Sequence, residues 1–162
     1  ALYARWTNQI HDEWTRNILK NRPDLTFAKL ERTRNLMNTN AKNSLVTHYE
    51  SLIETLSLPD PDDRHVLAAA IRANADVIVT ANLRHFPKKT LANFGIRPFH
   101  PDEFILELLN TRPEETLLAF CNQQDSLFNP PVTTQTLLET LENQGLQRST
   151  QQLAKMLEKS EK

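Results

Sequence analysis

Apolar positions recur every three to four residues along most of this chain, and in two places they run together instead. Ile10, Trp14 and Ile18 stand at i, i+4 and i+8. That spacing predicts an amphipathic helix over residues 8–20, opened by Thr7 as N-cap and ended before Arg22-Pro23. Residues 1–6 read as the end of a short strand. Thr26 opens a second predicted helix to about residue 37, with Phe27, Leu30 and Met37 inward, and the Asn/Lys/Thr-rich residues 38–44 read as a surface loop. Tyr49, Leu52, Ile53 and Leu56 predict a short helix, a strand near residues 56–58 being the alternative. Residues 62–73 form a strong helical pattern. The run Asp76-Val77-Ile78-Val79-Thr80 predicts a buried strand of the kind parallel sheets carry with both faces covered. Residues 95–99 predict a second strand and residues 101–109 a helix. Past Pro113 the pattern is helical throughout, over residues 114–128, 133–143 and 147–159, with Asn129-Pro130-Pro131 after the first.

Alternating short strands and helices give an α/β class: a small parallel sheet flanked by helices, followed by a helical C-terminal extension. The division expected is an α/β domain over residues 1–110 and the extension over 111–162. Two or three strands are few for such a sheet: either the sheet is small, or a strand has been lost ahead of residue 1.

Composition narrows the function classes. With only two glycines, Gly95 and Gly145, neither GxGxxG nor GxxxxGK[ST] can be written. A single cysteine, Cys121, permits no intramolecular disulfide and no cysteine-rich zinc site, and fits a reducing cytoplasm. Beside Leu117, Leu118 and Phe120 it reads as a small buried core residue. No apolar stretch approaches a membrane span. The net charge of −1 offers no global field for nucleic acid, so a polyanionic substrate requires a local patch and metal neutralisation.

The chemistry gathers at LPDPDDRHVLAAA, residues 58–70. Asp60 suits an N-cap, Pro61 the first helical position, and Asp63 the third position of an acidic capping box. Such acids at a helix start contribute about 0.3–1 kcal/mol each through the dipole. Asp63, however, extends the stripe of Val66, Leu67, Ala70 and Ile71, whereas Asp62 reads as exposed. The strand 76–80 delivers Asn82 to the rim where the helix begins, either as a turn residue or as a polar group facing Asp63. Glu13 lies in the first turns of a helix that also follows a strand; it reads either as a third oxygen donor or as a surface acid paired with Arg16. Asp12 has Arg16 as its natural i+4 partner, and His11 and Asp12 read as exposed. Three such groups suit Mg²⁺ or Mn²⁺ and phosphodiester hydrolysis. Arg64, His65, Arg84, His85, Lys88, Lys89 and Arg97 cluster around the rim as a phosphate-contacting patch or as solvated surface. Neither HxxxH nor HExxH spacing is present, so no transition-metal site is expected on these histidines.

Residues 61–87, PDDRHVLAAAIRANADVIVTANLRHFP, resemble the PIN-domain family, most closely its bacterial VapC-type toxins. Asp63 with Val66, Leu67 and Ala70 matches the family's acidic helix start, and Thr80-x-Asn82-x-x-His85-Phe86 its segment after the next strand. Ile10-His11-Asp12-Glu13-Trp14 matches the second acidic motif. The resemblance implies a metal-dependent single-strand endoribonuclease, commonly the toxin of a toxin–antitoxin pair, with Glu13 and Asp63 as metal ligands. Asn82 would be a weaker outer ligand where many relatives carry aspartate. It implies Mg²⁺ or Mn²⁺ as cofactor, RNA as substrate contacted by Arg64, His65, Thr80, Arg84 and His85, an antitoxin partner and a homodimer. The family's first acid, on its first, central strand, has no match here, so the resemblance implies that this strand is lacking in this chain and is encoded upstream or donated by another chain. The alternative is therefore a non-catalytic PIN-like binding module, or a fragment that needs a complementing N-terminal segment.

Overall fold

Threonines start the helices where the pattern predicts. In the computed structural model, which describes residues 2–160, Thr7 caps α1 (Asn8–Asn21) by accepting the Ile10 N–H. Thr26 caps α2 (Phe27–Asn40) through the Lys29 N–H. A short α3 (Glu50–Ile53) stands where the helical alternative placed it. A 3₁₀ turn over Pro61–Asp63 leads into α4 (Arg64–Arg72), then come β1 (Val77–Val79), a second 3₁₀ turn Leu83–His85, α5 (Lys88–Ala92) and β2 (Arg97–Phe99). The remaining helices are α6 (Pro101–Thr111), α7 (Pro113–Ser126), α8 (Thr134–Asn143) and α9 (Gln147–Ser160). β1 and β2 pair in parallel, with Arg97 N–H donating to Asp76 O and Thr80 N–H to Phe99 O, both at 2.9 Å. The fold is mostly helical with a small parallel sheet flanked by helices, as the α/β reading expects.

The chain forms two compact units. One runs to Ile78 and includes Arg84–Pro98; the other comprises Val79–Leu83 and the segment from Phe99 onward. The first is built on Leu67, Ala68, Ala69 and Ala70 of α4, which pack with Tyr49, Leu56, Ile78, Phe86, Leu91 and Ile96. Leu67 and Leu91 are fully buried. The second has its own core of Leu109, Phe120, Leu137 and Leu153. In that unit α9 is fastened by a side chain of another helix. The buried Asp102 of α6 accepts the Arg148 N–H at 3.0 Å, the Ser149 N–H at 2.8 Å and the Ser149 hydroxyl at 2.6 Å. Burial opposes the charge on Asp102, but the Ser149 hydroxyl and these two N–H groups outweigh it and hold its carboxyl below the ordinary value.

Several expectations are corrected. The strand expected over residues 1–6 contracts to one parallel bridge, Trp6 with Leu45. The helix expected to stop at residue 37 continues to Asn40, because the Asn38 side chain does not compete for its own backbone. Instead its Oδ1 accepts the Trp6 indole N–H at 2.7 Å and lies 3.0 Å from His11 Nε2. His11, expected at the surface, is fully buried. It sits between the Trp6 and Trp14 rings, and its Nδ1 accepts the Trp14 indole N–H at 2.9 Å. An indole nitrogen only donates, so the His11 proton is on Nε2, directed to Asn38.

Phe27, expected inward, is 61% exposed: it stands at the first position of α2, outside the covered stripe of Leu30, Arg34, Met37 and Asn38. Val77, Ile78 and Val79 are half-buried, buried and exposed in turn, so the run is not covered on both faces. Cys121 is exposed, not core. The inward stripe of α7 runs through Thr116, Leu117, Phe120 and Gln124, and Cys121 falls just outside it.

Candidate functional site

The turn ahead of α4 separates the three aspartates. Asp60 has extended backbone (φ −108°, ψ 114°), and its side chain accepts the Asp62 N–H at 3.0 Å, the cap expected of it. Asp62 is exposed. Asp63 stands at the N-cap of α4 but makes no side-chain cap bond. Its Oδ2 instead accepts from His85 Nδ1 at 2.6 Å, and Asp60 Oδ2 lies 3.7 Å from the same nitrogen. The carboxyl oxygens of Asp60 and Asp63 and a ring nitrogen of His85 all lie within 4.8 Å of one another, each residue half-buried. Among the described residues this is the group of three that could hold a metal ion. Phe86, only 3% exposed, anchors the turn that presents His85.

Sequence reasoning selected Asp63 but assigned Asp60 only to capping and His85 only to substrate. A spacing rule for paired histidines could not see a group assembled from residues 22 positions apart. The available signal was the apolar Phe86 directly after His85, which fixes where that imidazole can go.

Glu13 is not in that trio. It projects from α1, and its Oε1 lies 2.9 Å from Nε2 of His65 in the first turn of α4. His65 is 2% exposed, whereas the phosphate-patch reading requires an accessible ring. The contact lies off the ring N–H direction, so neither ring nitrogen of this buried residue has an aligned hydrogen bond. Asp12, expected to pair with Arg16, is bound by Arg34 at 2.6 Å; Arg34 also donates to Asn8 at 2.7 Å.

Asn82 is half-buried just past β1, and its N–H donates to the Thr80 hydroxyl at 3.1 Å. Thr80 thus spends its side chain on the turn, an ST-type bond. Arg64 donates from Nε to Pro61 O at 3.0 Å and lies 3.8 Å from Glu54, so it too is engaged locally. Arg84, Lys88, Lys89 and Arg97 are exposed.

The donor set fits a small divalent cation. Two carboxylates supply charge and hard oxygens, and one imidazole adds a nitrogen that Mn²⁺ accepts more readily than Mg²⁺. The held Asp63–His85 contact also fixes the acid's rotamer, which a ligand needs. No helix of the described residues is long and apolar enough to cross a membrane.

Comparison with known proteins shows the family. Residues 2–84 match the PIN domain family and residues 101–155 match the VapC50 C-terminal domain family. The chain is 40% identical over 111 residues to "Putative ribonuclease VapC50" of Mycobacterium tuberculosis, a match that covers 66% of this chain and 65% of that relative. No solved structure gives a significant match. A PIN-domain match over half the chain, on the segment that carries Glu13 and Asp63, places this protein in the PIN-domain family.

Proposed function

We propose that this chain is a metal-dependent endoribonuclease acting on single-stranded RNA, the toxin of a bacterial toxin–antitoxin pair. The observation that carries the reading is the Asp60–Asp63–His85 group: a helix-start carboxylate diverted from capping and held beside a second acid and an imidazole. A relative named as a ribonuclease and a PIN-family match support the reaction class. Glu13 and Asp63 are the proposed metal ligands, Asn82 a weaker outer group, and Asp60 and His85 additional donors. When bound, the ion supplies Lewis acidity for phosphodiester hydrolysis.

The chain's own residues do the rest. Asp60 and Asp63 concentrate negative charge at the start of α4. Exposed Arg84, Lys88, Lys89 and Arg97 neutralise the phosphate backbone locally, which a protein of net charge −1 requires. Arg64, next in sequence to Asp63, and Thr80 are proposed RNA contacts, and His85 serves the metal, not the substrate. The partners proposed are RNA, an antitoxin protein and a second copy of the chain, in the cytoplasm. The helices of residues 111–162 are proposed as the surface that meets such partners.

The test is cleavage of single-stranded RNA with Mg²⁺ or Mn²⁺ by the wild-type protein and its Asp63→Asn variant. Loss of at least about a hundredfold in rate is expected for the variant, the scale of removing one charge-stabilising group. Equal activity in the two proteins overturns the catalytic role.

A further inference from the structure

We propose that His65 is the positioning residue for Glu13, holding its carboxylate in the conformation that meets the metal. The inference rests on the reading of Glu13 as a metal ligand. Three observations carry it. The His65 side chain is 3% exposed while that of Glu13 is 40% exposed, so a dry imidazole meets an acid that reaches solvent. His65 Nε2 and Glu13 Oε1 approach to 2.9 Å. Neither His65 nitrogen has an aligned hydrogen bond, although both are buried.

A polar ring buried this way is a net cost to folding, and most buried polar groups avoid it by pairing. On α4 it interrupts a stretch otherwise devoted to core packing, where Leu67, Ala68, Ala69 and Ala70 are all buried. An apolar side chain of similar size would pack there without that cost. The imidazole's recorded polar contact is Glu13, so its chemistry acts on that acid. A carboxylate only accepts, which puts the His65 proton on Nε2. Contacts of this kind are commonly misaligned in the unloaded protein and tighten when the reacting assembly forms. The pair also links α1 to the first turn of α4, the turn that follows Asp63, so the two proposed ligands are tied through one helix start.

The experiment measures Mn²⁺ affinity of the full chain by calorimetry and by electron paramagnetic resonance, with thermal unfolding of each variant alongside. His65→Leu is expected to weaken Mn²⁺ binding by about tenfold, the lower end for loss of an outer-shell partner, without lowering the unfolding temperature. His65→Gln, which keeps an N–H donor, is expected to recover part of the loss. In the Glu13→Gln background His65→Leu is expected to cost nothing further. Unchanged Mn²⁺ affinity in His65→Leu, or an equal loss in both backgrounds, overturns the proposal.

Failure of the underlying reading is seen separately, as unchanged Mn²⁺ affinity in both Asp63→Asn and Glu13→Gln. A metal-free readout tests the pair itself. The His65 ring resonances are expected to shift when Glu13→Ala removes the acid; unchanged ring resonances in that variant also overturn the proposal.

Discussion

One aspartate ahead of α4 has a cap bond and a proposed metal role, and a single substitution can separate them. Asp60 accepts the Asp62 N–H at 3.0 Å and also stands in the group with Asp63 and His85. Serine caps as well as aspartate but carries no charge. Asp60→Ser is therefore expected to keep unfolding stability within about 0.5 kcal/mol, whereas Asp60→Ala costs about 1 kcal/mol. Both variants are expected to weaken Mn²⁺ binding by about tenfold, since affinity at such sites follows ligand charge. Urea unfolding and calorimetric titration on the same samples read the two effects independently. If Asp60→Ser binds Mn²⁺ as the wild type does, Asp60 is only a cap. Asp63 presents the opposite case, because its carboxylate makes no side-chain cap bond and its Oδ2 accepts from His85 instead. The residue to which capping rules assign a structural role thus has its side chain free of that role.

Among the elements, α9 joins its neighbour through a charged group as well as through apolar packing. Asp102 reaches it from α6 with three short hydrogen bonds, two to backbone N–H groups at the helix start and one to the Ser149 hydroxyl. Charge-assisted bonds of this type are stronger than neutral ones, and an anion is favoured at a helix N-terminus. Asp102→Asn is expected to lower unfolding stability by about 2 kcal/mol at pH 7. Because the folded carboxyl titrates below its ordinary value of about 3.9, the unfolded chain binds the proton first as pH falls. The stabilisation is therefore complete above that ordinary value and is lost as pH drops through the depressed native one. Urea midpoints of wild type and variant should converge at the acid end; a constant gap from pH 7 to pH 2 refutes this role.

Much of this element order is legible in the sequence, since Thr7, Thr26 and the Ile10/Trp14/Ile18 stripe are local signals. What is not legible is long-range. Asn38 reads as a loop residue until Trp6 and His11 are seen to occupy its side chain. His65 reads as surface beside Arg64 until Glu13 comes from α1 to meet it. In the same way the local phase of Asp63 marked it as unusual, but His85, 22 positions on, could be placed only by the fold.

At the scale of the whole molecule, the charge balance decides how the proposed RNA substrate can be met. A net charge of −1 gives no long-range attraction, and the acids of the site repel phosphate further. Affinity must come from a few local cations, so its salt dependence should be shallow. Each phosphate contact on single-stranded nucleic acid contributes about 0.7 to the slope of log affinity against log salt. Lys88 and Lys89 open α5, both exposed, in the unit that also holds Asp63 and His85. Replacing both with alanine is expected to reduce the slope by about 1.4, that is by two such contacts, with little change in stability at these solvent-facing positions. Fluorescence anisotropy with a labelled single strand, in the Asp63→Asn background to prevent cleavage, measures this over a range of salt. An unchanged slope assigns the two lysines to solvated surface. A reduced slope with an unchanged cleavage pattern in the otherwise wild-type protein makes them positioning contacts on the backbone, not readers of sequence.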